Sequence, residues 1–189
     1  FGYIANLVDS LAIIKKYVYD KKEFTLKELV NMLDSNFEGY EKVRRRFLLD
    51  RDKYGNNKDL PDSLATDIIQ FMTERVCGRK NSKVRDGKWN MGLHVARMSY
   101  THADMTATTP DGRLIGEELS KNCSASMGQN REGATTAILS TTKIDATAFA
   151  SDATLDLGLL PSAVKGDDGL EAMYGLLMTF VKTLHFLNF

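Results

Sequence analysis

Cysteine, histidine and proline are scarce in this chain, and neither sign of charge dominates. The two cysteines, Cys77 and Cys123, sit in no metal-ligand spacing, and His94, His102 and His185 are not paired at helical spacing. That pattern argues against a structural zinc site and for two reduced thiols in a cytoplasmic protein. Lys plus Arg total 25 and Asp plus Glu total 25, without the basic excess that nucleic acid or an anionic membrane would draw. No run approaches the roughly 18 apolar residues a membrane span needs, and no secretory signal pattern opens the chain. A phosphate loop, a dinucleotide fingerprint, a nucleophile elbow and a helical His-Glu zinc motif are all missing. The 189 residues suffice for one sizeable core, so one domain or part of a larger one is expected. The chain starts on Phe1 rather than Met and stops on Leu187-Asn188-Phe189; both ends read as cut from something longer.

The first 80 residues carry helical periodicity. Ile4, Leu7, Val8, Leu11, Ile14 and Val18 recur at three- and four-residue spacing, the mark of one buried stripe. Thr25 with Glu28 three positions on is a capping-box pattern, flanked by Phe24 and Leu29 as a hydrophobic staple. A third helix is expected from Tyr40 to about Leu49, with Arg44-Arg45-Arg46 on a solvated face. A fourth starts at Asp62 or Ser63 and buries Leu64, Ile68, Phe71, Met72 and Val76.

From Gly78 to about Gly133, Gly, Ser, Thr, Asn and Asp dominate, predicting loops and short strands packed on a larger body. Ala134 to Ile144 is rich in Thr and Ile and reads, ambiguously, as a strand with a helical start. Ala153 to Leu159 alternates with the strand period and ends at Pro161; Gly169 to Val181 returns to helical spacing. The order gives an α/β fold class. Thr109-Pro110-Asp111-Gly112-Arg113 is a turn by its chemistry, and the small residues of Asn122 to Gly128 permit close backbone approach. Cys123 reads as a buried thiol. His102 and Asp104 could act as a base and its orienting carboxylate only where the fold joins them. His94 and His185 read as core histidines, and Met91, Met98, Met105 and Met127 as gap fillers. No catalytic constellation and no cofactor or metal site emerges.

Taken in order, seven segments resemble the glycyl radical enzymes of the pyruvate formate-lyase superfamily. They are Asn6 to Lys15 with its Asp-Ser-Leu element, Asn36 to Glu41, Lys53-Tyr54-Gly55-Asn56-Asn57, and Thr109 to Arg113 with Gly116-Glu117 behind it. Ser124-Ala125-Ser126-Met127-Gly128, Thr142-Lys143-Ile144-Asp145 and Leu160 to Gly166 complete the series. The resemblance implies part of a ten-stranded α/β barrel, with residues 1–189 an internal part of a single catalytic domain: 1–80 helical, 81–189 loops, strands and helix. It implies a glycyl radical, installed by a separate S-adenosylmethionine iron–sulfur activating enzyme, that passes its spin to a cysteine. It also implies a cytoplasmic homodimer acting on a small-molecule substrate, with neither nucleic acid nor membrane as partner.

Neither Cys77 nor Cys123 matches the family's cysteine loop, and Gly166 and Gly169 lie in no glycyl radical motif, so no catalytic residue is expected within the chain, which alone would be inactive. The stretch Lys182 to Phe189 also departs from the family's Gly-Gly, His and Phe-Asn pattern. The strand ahead of Pro161 is expected to line the barrel interior, with Ala153, Leu155 and Leu157 sharing one apolar face as a substrate-pocket wall. The leading functional expectation is a carbon–carbon lyase or acyltransferase of the pyruvate formate-lyase type. The alternatives are a dehydratase or carbon–nitrogen lyase acting on a diol, hydroxyproline or choline-like substrate, and a non-catalytic subunit or remnant.

Overall fold

The computed structural model describes residues 1–82, 86–95, 97–145, 147, 149 and 152–183. Seven α-helices are found among them: α1 Ile4–Ile13, α2 Leu26–Asp34, α3 Glu41–Leu48, α4 Asp59–Val76, α5 Met98–Thr101, α6 Ala134–Thr141 and α7 Gly166–Thr183. A π-helical stretch, Ile14–Asp20, continues α1, and a 3-10 turn, Pro161–Val164, leads into α7. The final residues 184–189, with His185, lie outside the described residues.

The helices of the first half form as expected, but their buried faces are shifted: Leu7 and Leu11 of α1 and Phe71 of α4 are exposed, while Ala5, Ala12 and Ile13, and Ala65 and Ile69, are buried. Thr25 caps α2 through its hydroxyl, which accepts from the Glu28 N–H at 3.2 Å, while the Glu28 carboxylate accepts from the Thr25 N–H at 2.7 Å. Both orphan donors of the first turn's capping box are thereby met. Phe24 and Leu29 fall in one apolar cluster with Ile13, Tyr17, Met32, Phe37 and Phe47. Phe47 is its centre, with Phe24 and Phe37 edge-on to it at centroid separations of 6.2 and 6.1 Å, the geometry aromatic quadrupoles prefer. The π-helical stretch directs Lys16 to Asp50 and Asp52, at 2.9 and 2.6 Å, and the Tyr17 hydroxyl to Asp50 at 2.8 Å.

The second cluster joins α1 and α4 to the loop-rich half. Ile4, Ala5 and Val8 meet Ala65 and Ile69, and over them lie Tyr54, Met91, Leu93, Cys123, Ile144 and Phe149. α4 begins at Asp59, earlier than expected, because Pro61 fits the first turn, where no N–H is needed. Ala134 to Thr141 resolves as helix rather than strand.

The expected strand at Ala153 to Leu159 does not form. Among the described residues the only β pairings are isolated bridges, an antiparallel one between Lys80 and Lys88 and a parallel one between Leu93 and Ala153. The segment is nonetheless tied as a strand would be: the Asp152 carbonyl accepts from Leu93 at 2.8 Å and the Thr154 carbonyl from Cys123 at 2.9 Å. Its alternating residues are in place, but only one bond reaches each neighbour, too few to build a ladder. Among the described residues the chain is therefore helical, with these segments joined by single bridges instead of the strands expected of an α/β fold.

Removing the α2 cap gives a direct check. Thr25→Ala is expected to cost about 1 kcal/mol, read as a lowered denaturation midpoint with faster amide exchange in the first turn of α2.

Candidate functional site

Four of the segments that carry the family resemblance converge on one buried polar hub. Asp9 of α1 is fully buried; its Oδ1 accepts the Tyr54 N–H at 2.8 Å, and its Oδ2 has no hydrogen-bond partner. Lys53 is almost fully buried and its Nζ donates to the Asp111 carbonyl at 3.0 Å. The Asp111 carboxylate accepts from Asn6 at 2.7 Å and from the Thr109 hydroxyl at 2.5 Å. Asn6 in turn accepts the Ser120 N–H at 2.6 Å.

The Thr109 to Arg113 element is a turn, closed by the Gly112 N–H on the Thr109 carbonyl at 3.0 Å, with Gly112 at φ +99°. Arg113 serves architecture: its guanidinium donates to the carbonyls of Thr106, Ala107, Leu114 and Glu117. Gly55 lets the Ser124 to Gly128 loop close on the hub, since a Cβ there would lie 2.6 Å from the Cβ of Ala125. The small residues of both segments thus have a steric reason.

Burial pushes the Asp9 carboxyl up to about 7, against the pull of the Lys53 ammonium and the Tyr54 N–H; the Asp111 charge adds to the rise, and Ser126 offsets part of it. The thiol of Cys123 is pushed up to about 12, first by burial and then by the charges of Asp152 and Asp156.

The extended segment 152–157 lies beside the hub and has two unlike faces. Ala153, Leu155 and Leu157, the residues nominated as a pocket wall, line one apolar cavity of about 280 Å³. Its other sides come from Cys123, Ile138 and Thr141 and from Leu176, Leu177 and Phe180 of α7. The opposite face is polar. There Asp152 pairs with His94 at 3.2 Å, and Asp156 accepts from Asn122 at 2.7 Å. Asn122 also accepts the Val95 N–H at 2.8 Å, bridging the two extended segments.

Several sequence expectations change here. His94 is exposed, with Nδ1 3.2 Å from the Asp152 carboxylate, rather than a core histidine, because the alternation that buries Met91, Leu93 and Val95 turns it outward. His102 does not meet Asp104; its Nδ1 pairs with the Tyr3 hydroxyl at 2.7 Å. Met91 is buried, but Met98, Met105 and Met127 are exposed and fill no gaps. The His94–Asp152 pair went unnoticed in the sequence because its members lie far apart; only the bridge between Leu93 and Ala153 aligns them.

Comparison with known proteins fits this arrangement. A family model described as pyruvate formate lyase-like matches residues 2–99. The trans-4-hydroxy-L-proline dehydratase of Clostridioides difficile is 30% identical over 94% of this chain and 22% of its own length. The isethionate sulfite-lyase of Desulfovibrio desulfuricans is 33% identical over 94% of this chain and 21% of its own. The glycerol-bound B12-independent glycerol dehydratase of Clostridium butyricum superposes with a TM-score of 0.87 at 30% identity, over 96% of this chain and 23% of that one. The chain belongs to the pyruvate formate lyase-like family of glycyl radical enzymes. It spans about a fifth of the length of these relatives. The named relatives are dehydratases and lyases, so the acyltransferase expectation gives way to its dehydratase and lyase alternative. No helix among the described residues is long and apolar enough to cross a membrane.

The hub predicts a definite pH response. Asp9 holds its proton more tightly folded than unfolded, where a carboxyl titrates near about 3.9. Below that value no charge is buried with it, and stability falls as pH rises from about 4 to about 7, then levels off. Asp9→Asn keeps an acceptor for Tyr54 and should flatten that fall, which amounts to at most about 4 kcal/mol. Denaturation midpoints from pH 4 to 8 read the difference.

Proposed function

We propose that this chain is part of the catalytic domain of a glycyl radical dehydratase or lyase acting on a small hydroxylated substrate. The observation that carries this reading is the likeness to a dehydratase and a sulfite-lyase along 94% of the chain. In this reading the glycyl radical, set by an activating enzyme that uses S-adenosylmethionine, supplies hydrogen abstraction through a cysteine outside these 189 residues. Cys77 and Cys123 do not take that part: neither lies in a matching cysteine loop, and Cys123 is sealed in the apolar core. The assembled enzyme is read as a homodimer built on the ten-stranded barrel.

The segments 91–95 and 152–157 are its candidates for barrel strands. Their bridge is parallel, as strands of an α/β barrel are. Residues of α6 and α7 cover the face of Ala153, Leu155 and Leu157. A barrel strand turns one face to the surrounding helices and the other to the interior. The cover over the apolar face therefore supports assigning the substrate side to Thr154 and Asp156, with the nominated apolar residues packing behind them.

The test uses the full-length polypeptide, activated anaerobically. It should develop a glycyl radical signal in electron paramagnetic resonance and release water from a diol or hydroxyproline. Formation of acetyl-CoA and formate from pyruvate and CoA would overturn the assignment. At residue level, Asp156→Asn should change KM by several-fold at normal radical yield, while Leu155→Met, which conserves volume, should leave kinetics alone. The reverse outcome would return the pocket wall to Ala153, Leu155 and Leu157.

A further inference from the structure

We propose that the apolar cavity between the 152–157 segment and α7 is a binding site for one small, uncharged hydrocarbon, a short chain or single ring of about six to ten carbon atoms. The site goes beyond the reaction class proposed above. It lies on the side of the segment opposite the face read as meeting substrate.

The cavity takes its floor, flanks and roof from separate elements. Ala153, Leu155 and Leu157 form the floor, and Ile138 of α6 and Ile144 form the flanks. Leu176, Leu177 and Phe180 of α7 form the roof. Alternation along the extended segment puts its three apolar side chains on one side. In α7, Leu176 and Phe180 lie one turn apart with Leu177 beside them, so all three share a face. The separation of floor and roof is built in. Gly169 approaches the 3-10 turn so closely that a Cβ would lie 2.3 Å from the Val164 carbonyl carbon. The helix is thereby seated by its first turn, at a distance that leaves a cavity of about 280 Å³ under its second half.

The lining sets the class of ligand. Among the described residues no Asp, Glu, Lys, Arg or His lines the cavity, so a charged ligand would lose its hydration and meet no counter-charge. The hydroxyls at its edge are engaged: Thr141 donates to the Cys123 carbonyl at 3.4 Å and Thr142 to the Leu139 carbonyl at 3.3 Å. The Cys123 thiol, protonated near neutral pH, is a weak hydrogen-bonding group. Ordered water needs about two to four polar partners, and these walls do not offer them. Apolar cavities of about 150 Å³ stay dry and take up benzene or xenon; the larger volume here fits a substituted ring or a short chain. Leu177 and Phe180 are 57% and 37% exposed, which places the way in along α7. With neither acid nor base in its walls, the site holds its ligand without reacting with it.

The test uses the full-length polypeptide with toluene and cyclohexane as probes, and benzoate and cyclohexylammonium as charged counterparts of similar shape. The hydrocarbons should give saturation-transfer NMR signals and the charged pair none. Opening of α7 destroys the site, so toluene at about ten times its Kd should slow amide exchange over residues 176–180 by about 11-fold. Leu177→Trp fills the cavity from a half-exposed position, and Ala153→Leu fills it from the floor. Both should weaken toluene binding by about tenfold or more; should one fail to fold, the other decides. Equal binding of benzoate, binding unaltered by the filling substitutions, or unchanged exchange in α7 would each overturn the proposal. So would the absence of any binding, which would mean that the rest of the polypeptide fills the cavity. Toluene competing with a diol substrate would make the cavity the substrate pocket and would also overturn it. The binding measurements need neither radical nor turnover, so their failure is distinct from failure of the functional reading.

Discussion

A buried ammonium has to be met by oxygen atoms, and the Nζ of Lys53 is met by the carbonyl of Asp111 from a turn 58 residues away. The turn can present that oxygen only while Asn6 and Thr109 hold the Asp111 carboxylate and Gly112 takes a left-handed conformation. Asp9 of α1 lies near enough for the Lys53 charge to pull on its carboxyl, and it fastens the backbone of Tyr54. One desolvated cation thus fixes helix, loop and turn relative to each other. Removing one partner of such a group costs more than the bond itself, because the other stays buried and unpaired. The loops of the second half have little regular structure of their own, and this hub takes the place of a ladder in ordering them.

The legible parts of the sequence were those whose cause is local. The Thr25–Glu28 cap and the turn at Thr109 to Arg113 each depend on residues a few positions apart, and each is found as read; in the α1 stripe Ile4 and Val8 are buried, but Leu7 and Leu11 face outward. The alternation of residues 153–157 was also real. What the residues could not show is which partner takes each face, and that is set by α6, α7 and Leu93, all distant in the chain. The same reason explains His94: a histidine between apolar neighbours looks buried unless the segment is extended, when alternation turns it outward. The hub was visible only as separate motifs, since nothing in Asp9 or Lys53 alone announces a meeting with Asp111.

The two faces of the 152–157 segment divide its labour. The apolar side shares a cavity with α6 and α7, and the polar side carries Asp152, beside His94, and Asp156, held by Asn122.

Cys123 has a practical consequence. Its side chain is 1% exposed against Ile138, Ala153 and Leu155, and its thiol stays protonated far above neutral pH. Reagents that modify sulfur act on the thiolate and need access to it. The closed protein will therefore keep this sulfur silent towards a maleimide, and the rate at which it becomes labelled, followed apart from the half-buried Cys77, will report how often the core around it opens. The chain thus carries its own gauge of core opening, with no label to be engineered.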